Sequence, residues 1–326
     1  MRGVEYGHDK GNDLTTGWHM PLGYDGKLYI LAFDHRGSFQ KKMFGIEDDP
    51  TPEQTQTISD AKHLIFEGMH LASERGVDPQ AVGVLVDEQF GGTIPGDAKA
   101  DGLKLAMPVE KSGQNEFDFE YGEQFGEKIE EFDPDFSKVL VRYNPEGEAA
   151  MNERQTAKLR RLSEWLHEHH RKFLFELLVP AEPEQLEQVG GSVDRYDTEL
   201  RPQLMMEAIL QLQNGGVEAD IWKIEGIDDR EACNEIAQLA RREGRDRVSC
   251  VVLGRGASDE KVDEWLRAGA GLDGYIGFAI GRSIFGESVK AYAADPDGFD
   301  REAAVEKVAR NYRRFIEVYE GAPARV

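Results

Sequence analysis

Asp220-Ile221-Trp222-Lys223-Ile224-Glu225-Gly226 is a short, largely apolar run between turn residues, with Asn214-Gly215-Gly216 before it and Asp228-Asp229 after it. A buried strand of a parallel sheet reads this way. Side chains alternate across a strand, so Ile221, Lys223 and Glu225 share one face and Trp222 and Ile224 the other. If the apolar pair packs on a layer of helices, the charged pair points inward. Burying an ammonium is costly, and losing the proton relieves that cost, which leaves an amine nucleophilic toward carbonyls.

The same pattern repeats on both sides of this run. Strands are predicted at Leu28 to Asp34, Val82 to Asp87, Leu103 to Val109, Lys138 to Tyr143, Lys172 to Val179, Ile221 to Glu225, Val248 to Leu253 and Leu272 to Ala279. Between and after them lie amphipathic stretches at Thr55 to Arg75, Tyr121 to Glu131, Met151 to His170, Pro202 to Gln213, Asp229 to Arg242, Ser258 to Ala268, Arg282 to Ala293 and Arg301 to Tyr319. Their apolar residues recur every three or four positions, as in Leu159, Leu162, Trp165 and Leu166. Alternation of strand and helix predicts an α/β fold with a parallel sheet, and eight repeats predict closure into a (β/α)8 TIM barrel. A doubly wound open sheet is the second choice, disfavoured because no Gly-x-Gly-x-x-Gly follows the first strand. The weakest stretch is Gly91 to Asp101, which lacks a convincing helix. Residues 1–27, Gly-rich and without periodicity, read as an extension or cap, and residues 28–326 as a single barrel with an extra C-terminal helix.

Length and composition agree with one large domain. The 326 residues carry 39 basic and 62 acidic side chains, a net charge of −23 spread along the whole chain. Nucleic acid and anionic membranes, which need a positive field, are therefore not expected partners. The two cysteines, Cys233 and Cys250, supply neither a disulfide framework nor a metal motif. The N-terminal residues lack an apolar signal core and no run reaches membrane length, so a soluble cytoplasmic protein is expected.

In a barrel the chemistry sits at the carboxyl ends of the strands. Asp34 ends the first strand in phase with Ile30 and Ala32, although a turn-forming Asp is an equally good account of it alone. Glu176 interrupts the apolar run Phe173-Leu174-Phe175-Glu176-Leu177-Leu178, and a carboxylate in mid-strand calls for a partner or a reaction. On the neighbouring strand Lys223 can supply either. Arg142 stands near the mouth and suits an anionic group, whereas Lys138, which opens the fourth strand, reads by itself as a lysine at the solvent-exposed floor. The last two strands lead into Gly254-Arg255-Gly256 and Gly281-Arg282, where glycines, two arginines and a helix N-terminus can hold a phosphate. His167, His169 and His170 end a helix and are read as structural; Asp48, Asp49, Asp133 and Asp135 as solvated turn residues; Asp87 and Glu88 chiefly as strand-end turn residues.

Taken in order, Ala32-Phe33-Asp34-His35-Arg36-Gly37, Lys138-Val139-Leu140-Val141-Arg142-Tyr143, Phe175-Glu176-Leu177, Trp222-Lys223-Ile224-Glu225 and Gly281-Arg282-Ser283-Ile284-Phe285 resemble the class I aldolases of the tagatose-bisphosphate aldolase type. The resemblance is closer still to the C-terminal domain of 2-deoxy-5-keto-gluconate-6-phosphate aldolases of inositol catabolism, here expected as a stand-alone version without a sugar-kinase portion. It runs over nearly all of residues 28–295. What it implies is a lyase in which Lys223 forms the Schiff base, Glu176 moves protons, and Asp34 and Lys138 support the site. That replaces the solvent-exposed reading of Lys138. A ketose phosphate is the implied small-molecule substrate, with no cofactor or metal, and a homo-oligomer is expected. Ile224-Glu225-Gly226 departs from the tagatose enzymes in lacking a proline that often follows there. On the residues alone, a non-covalent phosphosugar isomerase or epimerase and a non-catalytic phosphosugar-binding barrel stay open.

Overall fold

In the computed structural model, which describes residues 20–321, the eight strands close on themselves in sequence order and every pairing is parallel. They are β1 (Leu28–Ala32), β2 (Val82–Leu85), β3 (Lys104–Pro108), β4 (Phe136–Arg142), β5 (Lys172–Leu178), β6 (Ile221–Glu225), β7 (Ser249–Leu253) and β8 (Tyr275–Ile280). Closure is made where Leu28 of β1 stands opposite Gly277 of β8. The open-sheet alternative is thereby excluded, and the barrel expectation holds.

Alternation sorts each strand into two cores. Leu28, Ile30, Ala106, Leu174, Ile221 and Val251 belong to a small apolar cluster inside the barrel. Trp222, Ile224, Phe173 and Phe175 belong to the larger layer between sheet and helices. Lys223 and Glu225 therefore lie on the inner face with Ile221, as the alternation requires. The interior is sealed from below by Tyr24, whose ring meets Phe136 edge-on with centroids 5.1 Å apart. Nearby, the buried Asp220 carboxylate accepts hydrogen bonds from the backbone N–H of Gly23 at 2.7 Å and of Phe173 at 2.8 Å, and from Lys172 at 2.9 Å. The described part of the predicted extension, residues 20–27, thus plugs the N-terminal end of the barrel; residues 1–19 lie outside the described residues.

Local sequence explains the longest helix. Thr51-Pro52-Glu53-Gln54 forms a capping box in which Gln54 N–H donates to Thr51 Oγ1 and Thr51 N–H to Gln54 Oε1, and Pro52 occupies a position that needs no amide donor. From there Pro52–Glu74 runs along the barrel and packs against the C-terminal helix Arg301–Glu320, whose Tyr312 hydroxyl donates to the Tyr29 carbonyl at 2.5 Å.

Several expected boundaries shift. The stretch from Gly91 to Asp101 is not irregular: it carries the short helices Glu88–Gly91 and Ile94–Ala100, too short to show a periodic face. A helix at Gly37–Phe44 follows β1 directly, and β8 begins at Tyr275 rather than Leu272 because Leu272-Asp273-Gly274 forms the turn into it.

Gly226, at the end of β6, is required for packing rather than for its backbone angle. A Cβ there would land on the Trp265 ring, which is anchored by its indole N–H donating to Asp228 at 2.7 Å. Gly226→Ala should lower unfolding stability by about 1–3 kcal/mol, the usual cost of forcing an extra carbon into a packed site. Urea titration followed by circular dichroism measures it, and a change indistinguishable from zero would show that the ring can step aside.

Candidate active site

Five segments direct charged side chains into the mouth of the barrel. Glu176 of β5 and Lys223 of β6 are register partners, and Lys223 Nζ donates to Glu176 Oε2 at 2.9 Å. Lys138 of β4 stands 3.1 Å from the same oxygen, 2.7 Å from Asp34 Oδ2 and 2.9 Å from Glu110 Oε1. Lys138 is 1% exposed and Lys223 2% exposed. The floor reading of Lys138 from the residues alone, which the resemblance replaces, does not hold: β4 begins two residues earlier, at Phe136, which places Lys138 at mid-barrel. The structure brings together all four residues that the resemblance singled out.

These groups set one another's protonation. Burial by itself would raise the Asp34 carboxyl, but the Lys138 ammonium, aided by His35 and Lys223, outweighs it and holds the group far below the usual carboxylate range. Glu176 is likewise lowered, burial being overcome by Lys138 and Lys223. For Lys138, burial favours the neutral amine, yet the carboxylates of Asp34, Glu110 and Glu176 push it well above its ordinary value. Glu110 goes the other way: burial raises it further than Lys138 and Arg36 lower it. The His35 imidazole is pushed down to about 4, chiefly by burial.

Above this cluster opens a cavity of about 1110 Å³ whose walls include Asp34, Lys138, Glu176 and Lys223. Arg142 reaches it from the end of β4, with its guanidinium donating to the Gln114 carbonyl at 2.7 Å. On the opposite side lie Gly254, Arg255, Gly256, Gly281 and Arg282. Gly281 caps the helix Arg282–Ala294, so the N-terminus of that helix sits at the cavity wall, with the Ile284 N–H turned back onto the Gly281 carbonyl at 2.8 Å. The two arginines differ. Arg255 donates to Asp197 at 2.7 Å and lies 3.1 Å from Glu225, so its charge is already matched, whereas Arg282 donates to the Arg255 carbonyl at 2.9 Å. A side chain at Gly256 would come within 2.8 Å of the Arg282 guanidinium, and its φ of +74° suits glycine.

Sequence reasoning passed over three features. Glu110 lies two residues beyond β3, and the parity signal was available: Ala106, Pro108 and Glu110 fall on one face, with Pro108 opposite Lys138. Glu225 was placed on the inner face but given no partner, and it accepts from the Val179 N–H at 2.8 Å besides facing Arg201 and Arg255. Lys62, 0% exposed, donates to the carbonyls of Phe33 at 2.8 Å and His35 at 3.1 Å and pairs with Asp87. It thereby pins the carbonyls of the two residues that flank Asp34. Asp87 also caps the helix after β2 by accepting from the Phe90 N–H at 2.8 Å, in keeping with its strand-end reading. His167 lies far from the mouth, against Asp220 at the plugged end.

Comparison with known proteins shows the family and the fold. Residues 23–322 match the family described as "Uncharacterized protein conserved in bacteria (DUF2090)", and the chain belongs to it. Tagatose 1,6-diphosphate aldolase 2 of Streptococcus pyogenes serotype M1 is 23% identical over 86% of this chain and 87% of its own, and the serotype M18 protein of the same name matches equally. The resemblance read from the motifs is therefore borne out along the chain. Among solved structures, a fructose-bisphosphate aldolase from Plasmodium falciparum superposes with a TM-score of 0.62 at 14% identity, covering 93% of both chains. A structure from Corynebacterium glutamicum superposes with a TM-score of 0.53 at 18% identity, covering 90% of this chain and 88% of that one. Both share the fold. No helix among the described residues is long and apolar enough to cross a membrane.

The lowered Asp34 carboxyl has a sign that can be tested. A carboxylate held below its ordinary value of 3.8 stabilises the folded state above that pH, and the contribution is lost as pH falls through and below it. Wild-type unfolding free energy, measured in urea between about pH 3 and 6, should fall toward acid, and Asp34→Asn should start lower and fall less steeply. Parallel slopes would show that Asp34 is not held as an ion by Lys138.

Proposed function

We propose that the chain is a class I aldolase that cleaves a ketose phosphate through a Schiff base on Lys223. The observation that supports this most directly is the buried chain of contacts from Lys223 through Glu176 to Lys138 and Asp34, opening into a cavity that has a helix N-terminus and Arg282 on its far wall. An amine, a carboxylate able to serve it and a cation fixing that carboxylate are the parts that imine chemistry needs.

Lys223 Nζ attacks the ketone, and the proton it gives up passes to Glu176, 2.9 Å away. That proton leaves the Lys223 ammonium before attack. After attack a second nitrogen proton moves to the alkoxide to make it a hydroxyl. Glu176 returns its proton to that hydroxyl, water leaves, and a protonated imine remains. Glu176, again a carboxylate, then takes the proton of the hydroxyl β to the imine carbon. As that oxygen becomes an aldehyde, the carbon–carbon bond breaks and its electron pair flows into the imine to give an enamine. Protonation at carbon and addition of one water release a triose phosphate and restore the amine. Lys138 holds Glu176 in place and favours its ionised form throughout, as the lowered Glu176 carboxyl requires. The phosphate rests on the first-turn amides of Arg282–Ala294 and on Arg282, while Arg255, engaged by Asp197 and Glu225, shapes the loop.

The substrate that best fits is 2-deoxy-5-keto-gluconate 6-phosphate, which divides into dihydroxyacetone phosphate and malonate semialdehyde. Arg142, with one guanidinium nitrogen spent on Gln114, is placed to meet the carboxylate of the second product.

Incubation with this ketose phosphate and borohydride should leave a reduced adduct on Lys223, found by peptide mass analysis, and Lys223→Ala should form none. A turnover without any adduct would move the reaction to a non-covalent proton shuttle, such as an isomerase. Glu176→Gln should lower kcat by roughly 10²- to 10⁴-fold, the usual worth of a positioned acid–base group.

A further inference from the structure

We propose that Lys62, which is not part of the cavity wall, is a positioning residue of this site: by holding the carbonyls of Phe33 and His35 it aims the Asp34 carboxylate at Lys138, and the rate of the reaction depends on it. The proposal rests on the aldolase reading above and adds to it a residue that acts without meeting the substrate.

Asp34 needs such help more than its neighbours do. β1 ends at Ala32, and beyond it the Phe33 N–H still bonds the Leu85 carbonyl of β2 at 2.8 Å. The next backbone anchor is the Arg36 carbonyl, which accepts from Phe39 and Gln40 at the start of the helix Gly37–Phe44. Asp34 and His35 fall between the two. Glu176 meets two lysines, Lys138 and Lys223, and Glu110 meets Lys138 and Arg36. Among the described residues Asp34 has Lys138 alone as a cation, at 2.7 Å. With one such contact on the side chain, the direction of the carboxylate follows from the backbone that carries it.

Lys62 supplies the hold that the sheet does not. It comes from the helix Pro52–Glu74, is 0% exposed, and donates to the Phe33 carbonyl at 2.8 Å and to the His35 carbonyl at 3.1 Å, one on each side of Asp34 in the chain. Its third proton goes to Asp87, itself buried and fixed by the Phe90 N–H at 2.8 Å. An ammonium has three protons to give, so this one has none left for any other task. Packing does not ask for it. The rings of Phe39 and Phe90 lie 5.2 and 5.6 Å from Nζ, and an apolar side chain would fill that space without the cost of burying an ion pair. What an apolar side chain could not do is fix the two carbonyls on either side of the residue that faces Lys138.

The test uses the whole protein and begins without ligand. The proton–nitrogen resonance of the buried Lys138 ammonium, assigned by its loss in Lys138→Met, should move in Lys62→Met in the direction that Asp34→Asn moves it. In Asp87→Asn, where Lys62 keeps both carbonyls, it should stay. A Lys138 signal that Lys62→Met leaves in place overturns the proposal whatever the enzyme does. With the ketose phosphate, Lys62→Met should lower kcat by roughly 10²-fold with KM little changed, the effect of a misplacement of about 1 Å from a distant residue. The rate is counted per Lys223 trapped by borohydride, so that unfolded protein does not enter. Added to Asp34→Asn, Lys62→Met should cost almost nothing more, because the residue it acts through is already lost. Losses that multiply, or an Asp87→Asn enzyme as slow as Lys62→Met, overturn the assignment. If the unpaired Asp87 carboxylate keeps Lys62→Met from folding, the double variant Lys62→Met/Asp87→Asn, which leaves neither charge, replaces it in each comparison. Absence of the Lys223 adduct in wild type would instead overturn the aldolase reading, while the Lys138 resonance still reports whether Lys62 aims Asp34.

Discussion

The ammonium of Lys138, held among carboxylates from three segments, is the interaction on which the rest of the site depends. Removing several ions from water costs several kcal/mol each, and mutual attraction repays this only when every ion has close partners. Here it does so because β4 places Lys138 within 2.7 Å of Asp34, just beyond β1, and within 3.1 Å of Glu176 on β5. A flexible scaffold could not hold that spacing. The closed barrel does, since each strand is fixed by two neighbours and its outer face is locked by apolar packing such as Phe175 against Trp222. Lys62 extends the same logic one layer outward by fixing the carbonyls on either side of Asp34.

An acidic protein proposed to receive an anion must solve a second problem. The net charge of −23 opposes a phosphate at long range. Counterions screen exposed charges beyond about 8–10 Å at physiological salt, however, so acids on distant faces contribute little at the mouth. What counts there is local. Arg255 adds little net charge because Asp197 and Glu225 surround it, which leaves the helix dipole and Arg282 as the positive charge on that wall of the cavity. The site therefore has an oriented field, with a buried charge-balanced cluster at the bottom and a small positive terminus to one side.

What could be read from the sequence follows the same physics. Strand alternation placed Lys223 and Glu225 inward and Trp222 and Ile224 outward, and mid-strand polar residues such as Glu176 stood out because an apolar run leaves them no other explanation. Lys138 was misjudged on residues alone because a lysine next to a strand boundary is ordinarily solvated, and a shift of two residues in that boundary moves it from floor to centre. Glu110 was lost for a related reason: Pro108 ends the regular pairing, so its inward parity continues into a segment that no longer looks like a strand. Lys62 was invisible in principle, since a polar residue on an amphipathic helix is assigned to solvent unless a distant carboxylate is known to face it. Residues 88–100 hid their helices by being too short for periodicity.

This division between strand and loop bears on what similarity to other barrels can transmit. Each charged residue of the central cluster is constrained by the others, because replacing one leaves its partners buried and unpaired, a loss of about 3–5 kcal/mol. The cluster therefore changes as a whole or not at all. Arg142, Asp197 and Arg255 are under no such mutual lock: they lie at strand ends and in loops, partly open to water, where single substitutions cost little. Two chains at 23% identity can thus share a barrel interior while differing at the rim. Substrate identity must accordingly be sought at Arg142 and the Asp197–Arg255 pair, and not at the lysine proposed to form the Schiff base.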